Sequence, residues 1–366
     1  MANKKTKKID KSHIKKRNKN WQIYKDYYLK KTKSKKFNDN FLTNDLYDFE
    51  PKVSKSKNKT KHSFKDIKVG SVEYSEGPVG CTYIHFDKGA RVYQSTQGGY
   101  VANMTMSSLN NDFNLEGIAI AGSSTMGLEA ITGCSAELMV EKEYFNIGNV
   151  NGAIISSGAF MKPGNMVYAD KKLGRFAVRN RIPRHIFNGQ VGAGCSATHG
   201  QGSAFKNLKN GIKIMCIVVN NALGDVYKNG KIVHKLYSKP NIKPQYNLDF
   251  KSPNNSKNKS SKKTKKPSNK SKKTKKQKYN TKRENTTIMV LITNLDLDIS
   301  YLQQMAQQVN ASFGKSIRPF NTLVDGDVLY ACSTREKKMD FTSKQFVALC
   351  DKMSDVVEEA IHNSIK

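Results

Sequence analysis

Asn285-Thr286 stands at the mouth of Thr287 to Thr293 (TIMVLIT), an apolar run of strand length. A threonine hydroxyl inside a chain is a poor nucleophile. At a new N-terminus it gains its own base, an α-amine with a pKa of about 7.7 to 8.0. Thr286 can create that terminus by attacking the Asn285 carbonyl and passing through an ester. The other reading of Asn-Thr-Thr is the end of a linker and the start of a strand. Further on, Val-Asp-Gly-Asp at 324–327 carries two carboxylates, Asp325 and Asp327, in a pattern equally suited to a turn or a weak metal site. GQVGAGCSATHGQG at 189–202 lacks the G-x-G-x-x-G spacing and lysine of phosphate cradles, so it reads as close backbone packing. His199 within it has no second histidine at metal spacing and reads as structural. No cofactor or metal is expected.

These groups need a rigid frame. TIMVLIT has the continuous apolar character of a strand buried on both faces. Asp298 is placed to cap a following helix with Ile299, Leu302, Met305, Val309 and Phe313 as its inner stripe and Gly314 as its stop. A strand follows at Val328 to Cys332. Thr342 and Gln345 then form a capping box, flanked by Phe341 and Phe346, for a last helix with Leu349, Met353, Val357 and Ile361 inward. Upstream, Ile118 to Ala121 and Ile212 to Val219 read as buried strands and Met126 to Val140 as a helix.

The net charge of +33 is concentrated in two stretches. Residues 1–66 carry 21 Lys or Arg against 7 Asp or Glu, and residues 251–283 carry 15 against none, which leaves +4 for the rest. Both stretches lack the apolar content to offset the entropy of ordering and are expected to be disordered. Aromatics at Trp21 to Tyr28 and Phe41 to Phe49 are the places where a short docking segment can form. Lysine runs of this kind make unspecific, salt-sensitive contact with nucleic acid or an anionic surface, and an AT-rich coding bias accounts for them equally well. Six scattered cysteines and no secretory apolar stretch point to a reducing, intracellular and cytoplasmic setting, with packaging in a particle or association with nucleic acid as a variant. No apolar run approaches the roughly 20 residues of a membrane span, so a soluble, non-transmembrane protein is expected.

Six segments in order resemble the blocks of the DmpA-like family, also called the L-aminopeptidase/D-esterase or β-peptidyl aminopeptidase family. They are GCTYIHFDKGA (80–90), IAIAGSSTMGLEAITG (118–133), GQVGAGCSATHGQG (189–202), VVNNALGDVY (218–227), NTTIMVLITNLDLD (285–298) and SIRPFNTLVDGDVLYACST (316–334). The resemblance implies an α/β fold, a four-layer α/β/β/α sandwich of the DmpA type. It also implies self-cleavage into α and β chains and homo-oligomers of α/β pairs. The activity implied is hydrolysis of small peptides, amides or esters. Carried over by position, Thr286 is the nucleophile, and Asn221 donates to the oxyanion where its other reading is a strand-end turn before Gly224. Asp325 and Asp327 orient the nucleophile and its amine, and Glu129 meets a substrate amine or else lies on a helix surface.

The chain then divides into a basic arm at 1–66, the α-chain part at 67–250, a Lys-rich linker at 251–285 ending at the cleavage site, and the β-chain part at 286–366. Departures fall on blocks that shape the family's substrate pocket: Ser123 replaces a glycine, and STQGGYVANMTM (95–106) and ISSGAFMKPGN (155–165) match weakly. A self-cleaving aminopeptidase, amidase or esterase is the expected function. The competing expectation is a catalytically drifted relative that holds nucleic acid through its basic segments.

Overall fold

The computed structural model describes residues 42–99, 114–155, 165–235 and 285–365, with short pieces at 15–16, 25–27, 29–31, 101 and 103–104. The expected Lys-rich linker apart from its last residue, Asn285, the first part of the arm with most of its Trp21 to Tyr28 segment, and parts of the two weakly matching pocket segments lie outside the described residues.

The main elements are β1 (Ile67–Tyr74), β2 (Val79–Thr96), β3 (Leu115–Ala121), α1 (Leu128–Glu141), β4 (Val150–Ile154), α2 (Lys171–Arg179), β5 (Gly200–Asn207), β6 (Lys213–Asn221), β7 (Thr286–Leu295), α3 (Ile299–Ser316), β8 (Val328–Lys337) and α4 (Ser343–Asn363). The long strand β2 serves two sheets. Its first half pairs with β1 and β3, and β4 extends that sheet beyond β3. Its second half pairs with β8, giving the order β2-β8-β7-β6-β5. Between the halves Gly89 takes φ +71°, a left-handed conformation that a residue with a Cβ adopts at a cost.

Side-chain alternation sorts the core into layers. Ile84, Ile118 and Ile120 of one sheet meet Ile217, Val219, Ile288, Val290 and Tyr330 of the other. The opposite face of the second sheet, with Cys216, Val218, Met289 and Leu291, is covered by Leu302, Met305 and Val309 of α3 and Leu349, Met353 and Val357 of α4. The opposite face of the first sheet packs on Ile131 and Leu138 of α1 and Leu173 and Ala177 of α2. The α1–α2 contact is backbone against backbone: a Cβ on Gly174 would lie 1.9 Å from the Ala130 carbonyl oxygen. Helix pair, sheet, sheet and helix pair thus stack in four layers, an arrangement that buries both faces of each sheet.

The caps fall where the sequence puts them. Asp298 accepts from the Tyr301 N–H, and Thr342 and Gln345 form a reciprocal box. Gly314 does not stop α3, which runs on to Ser316. Nothing forces Gly314 out of the helix, and Arg318 Nε donates to its carbonyl at 2.9 Å, satisfying one of the helix-end acceptors.

The arm, expected to be mostly disordered through residue 66, is packed from residue 42 onward. Leu46 and Phe49 are buried, Phe49 against Tyr74 with ring centroids 5.9 Å apart, and Phe64 lies in the inter-sheet core. Leu42–Thr43 pairs with Asn165–Met166, Lys52–Val53 with β1, and Lys59–Lys61 with His185–Phe187. Lys172 meets Asp48 and Glu50 across this contact. A charge count misses this because the lysines here point outward and a few apolar side chains do the anchoring.

Candidate active site

The antiparallel register of β6 and β7 sets Asn221 directly opposite Thr286. Ile288, Val290 and Ile292 face the inter-sheet core, as do Met215, Ile217 and Val219, so by alternation Thr286 and Asn221 face the same side at the end of that space. Both are nearly buried. Asn221 Oδ1 accepts from the Thr198 N–H at 2.9 Å and from the Thr198 hydroxyl at 3.0 Å. A backbone N–H only donates, so the oxygen of the amide must face Thr198 and its NH2 end is turned away.

On the other flank, the parallel pairing of β7 with β8 puts Ile288 beside Val328 and continues outward to an Asn285–Asp325 bridge. Thr286 Oγ1 lies 2.6 Å from the Asn285 carbonyl oxygen and donates to it, and the Gly326 N–H donates to the same oxygen at 3.0 Å. The two aspartates are almost fully buried. Asp327 accepts from the Thr287 N–H through Oδ1 and from the Asn321 N–H through Oδ2, while its carbonyl accepts from the Gln97 N–H. Asp325 Oδ2 accepts from the Thr322 N–H at 2.9 Å and its hydroxyl at 2.6 Å. Asp325 Oδ1 is buried with no hydrogen-bond partner among the described residues.

Burial, with Asp325 as a second cause, pushes the Asp327 carboxyl up to about 7 against the pull of the two backbone N–H groups. It can therefore hold or release a proton near neutrality. Three of the four carboxylate oxygens already face protein donors, an arrangement for orientation rather than for a cation.

His199 is engaged elsewhere. Its Nε2 lies 3.2 Å from the Gly224 carbonyl and its Nδ1 2.7 Å from His234 Nδ1. The carbonyl requires the proton on Nε2, so Nδ1 accepts from His234. Burial and then His234 lower its pKa to about 4, keeping it neutral. Glu129 is exposed in the first turn of α1, where its charge, after burial and Asp45, helps raise the Tyr168 hydroxyl. It belongs to the α1–α2 helix layer, whereas Asn221 and Thr286 lie on β6 and β7 and Asp325 and Asp327 on the segment leading into β8. Thr198, Thr322, Gln97 and Asn321, which hold that set in place, carry no mark in the sequence that would single them out.

This geometry bears on the comparisons with known proteins. The profile of Peptidase family S58 matches residues 64–366. The chain belongs to this family. S58 is the DmpA family of N-terminal-nucleophile hydrolases, in which self-processing is typical. The chain is 31% identical over 309 residues to the 6-aminohexanoate-oligomer endohydrolase of Agromyces sp. (strain KY5R), covering 80% of each. It is 32% identical over 309 residues to that of Kocuria sp. (strain KY2), again with 80% of each covered. Among solved structures, the L-aminopeptidase D-Ala-esterase/amidase of Ochrobactrum anthropi, described as a variant of the Ntn-hydrolase fold, superposes with a TM-score of 0.57 at 15% identity, over 85% of this chain and 88% of that one. A Burkholderia sp. β-aminopeptidase gives 0.54 at 13% identity, over 85% and 89%. At such identities the superpositions speak for the fold, and the sequence matches carry the family assignment. No helix among the described residues is long and apolar enough to cross a membrane.

Proposed function

We propose that this S58 member cuts itself between Asn285 and Thr286 and then uses Thr286 to hydrolyse amide or ester bonds in small peptides, amino-acid amides or linear amide oligomers. The observation that carries the reading is the placement of the Thr286 hydroxyl on the Asn285 carbonyl, opposite Asn221 and beside Asp325 and Asp327. In the first stage Thr286 Oγ1 bonds to the Asn285 carbonyl carbon. Its proton passes through the buried carboxyl pair to the departing nitrogen as the Asn285–Thr286 C–N bond breaks. Water then hydrolyses the ester, leaving a carboxylate on Asn285 and a free hydroxyl and α-amine on Thr286.

In the second stage the α-amine takes the hydroxyl proton as Oγ1 attacks a substrate carbonyl, then returns it to the leaving amine or alcohol. The Asn221 NH2 stabilises the oxyanion, a contribution of about 2.7 to 4 kcal/mol for one such donor. Asp325 Oδ1, buried and without a hydrogen-bond partner among the described residues, is available to hold the new amine. An adjacent acid raises the pKa of that amine, so its task is positioning rather than making a stronger base. Glu129 is proposed to meet a substrate amine, and homo-oligomers of α/β pairs are part of the reading. The endohydrolase name of the sequence relatives favours adding 6-aminohexanoate oligomers to any substrate panel.

Intact mass and turnover test the reading together. Wild type is expected to yield a fragment beginning at Thr286 and to hydrolyse members of a panel of aminoacyl amides, esters and 6-aminohexanoate oligomers. Thr286→Ala should stay at 41.1 kDa and be inactive. A wild-type chain that stays whole after prolonged folding refutes self-cleavage. The nucleic-acid-binding alternative rests on composition alone, and it predicts salt-dependent binding that Thr286→Ala leaves untouched.

A further inference from the structure

We infer that the backbone N–H of Gly326 is the oxyanion donor of the self-cleavage step, a role separate from that of Asn221 in turnover. The inference rests on the proposed cut at Asn285–Thr286. The oxygen on which negative charge must develop when Thr286 Oγ1 bonds to the Asn285 carbon is the Asn285 carbonyl oxygen. In the uncut chain that oxygen already accepts the Gly326 N–H at 3.0 Å, with the attacking hydroxyl 2.6 Å away on the same atom. As the C–O bond forms, the carbonyl π electrons move onto this oxygen, and a fixed donor stabilises them without reorganising.

Gly326 is well held for such a task. It is buried between two anchored residues. Asp325 is tied to Thr322 through its N–H and its carboxylate, and Asp327 to Thr287, Asn321 and Gln97. The N–H is also the donor that the parallel β7–β8 ladder supplies at this register, one step beyond the Asn285–Asp325 bridge. Asn221 approaches from the β6 side of β7, so the two donors flank the nucleophile from opposite neighbouring strands. A cut removes the Asn285 carbonyl from the peptide bond and leaves the Gly326 N–H to find another partner. This donor is therefore matched to the precursor's own scissile bond.

The test follows conversion of the full-length chain after cell-free synthesis by intact mass. Gly326→Pro removes the N–H and is expected to slow cleavage by about 100-fold or more, the loss associated with one oxyanion donor. Gly326→Ala keeps the N–H and should slow it by no more than a few-fold. Site-resolved hydrogen exchange gives a second measurement that needs no change at Gly326: its amide should be protected in uncut Thr286→Ala and exchange faster in processed wild type. Cleavage of Gly326→Pro at nearly the wild-type rate overturns the inference, as does equal exchange at Gly326 in the two forms. If Gly326→Pro fails to fold, the exchange comparison decides alone. Wild type that never cleaves refutes the underlying reading instead, so the two failures are distinguishable.

Discussion

Asp327 offers a direct measure of how the buried site is balanced. Burial first and Asp325 second raise its carboxyl from the ordinary 3.8 to about 7. A shift of about three units at about 1.36 kcal/mol each corresponds to roughly 4 kcal/mol, an order-of-magnitude figure. Because the folded pKa is raised, the folded state binds more protons than the unfolded chain between these values. The contribution to stability is therefore full below about 3.8 and is lost as pH rises through about 7. The perturbation is Asp327→Asn in the Thr286→Ala background, which lacks the proposed nucleophile, so that one covalent state is compared. Asparagine cannot accept from both the Thr287 and Asn321 N–H groups, which adds a pH-independent penalty of about 1 to 3 kcal/mol. His62, His85 and His199, each lowered from 6.5 to about 4, give the opposite slope but cancel between the two proteins. Urea unfolding from pH 4 to 8 should show the stability of the protein that keeps Asp327, relative to the Asp327→Asn variant, falling by up to about 4 kcal/mol. A difference that is flat with pH, or that grows, refutes the assignment of a neutral buried acid.

Thr198→Val removes one of two hydrogen bonds to Asn221 Oδ1, worth about 1 kcal/mol. It should lower kcat about fivefold with KM unchanged, Thr198→Ser restoring it, whereas Asn221→Ala should cost about 100- to 1,000-fold in kcat. Phe49→Ala should destabilise the protein by about 3 to 5 kcal/mol in chemical denaturation, and a cost below about 1 kcal/mol would show that the packed part of the arm anchors nothing. Gly174→Ala, with its Cβ driven to 1.9 Å from the Ala130 carbonyl oxygen, should force α1 and α2 apart and cost about 1 to 3 kcal/mol or more, read from the same unfolding curves.

The parts of this molecule that are readable in one dimension are those with a local physical cause. A continuous apolar run marks β7 and period-3.6 patterning marks α3 and α4, and the Asp298 and Thr342 caps follow from orphan N–H groups that any helix start must satisfy. Thr286 stands out as a hydroxyl opening a buried strand, but its role as nucleophile comes from the family resemblance, as do those of Asn221, Asp325 and Asp327. What patterning leaves hidden depends on pairing between distant strands. Thr198 reaches Asn221 and Gly326 reaches Asn285 through the β6–β7–β8 ladder, and no composition or spacing signals that register. The packed segment from residue 42 is hidden for another reason: Leu46, Phe49 and Phe64 are diluted among lysines, and a window average reports the lysines.

The strand order β2-β8-β7-β6 has a consequence for what a cut at Asn285–Thr286 would leave behind. The C-terminal piece would own β7 and β8, and the N-terminal piece would own their outer neighbours, β6 and β2. The two pieces would be interleaved like fingers of clasped hands, and parting them means tearing two ladders at once. The uncut chain folds with both pieces tethered, at an effective concentration that linkage sets in the millimolar range. Once severed and unfolded, the same pieces must find each other by diffusion. Such an enzyme assembles once, from its precursor, and its working lifetime is set by how slowly the clasp opens.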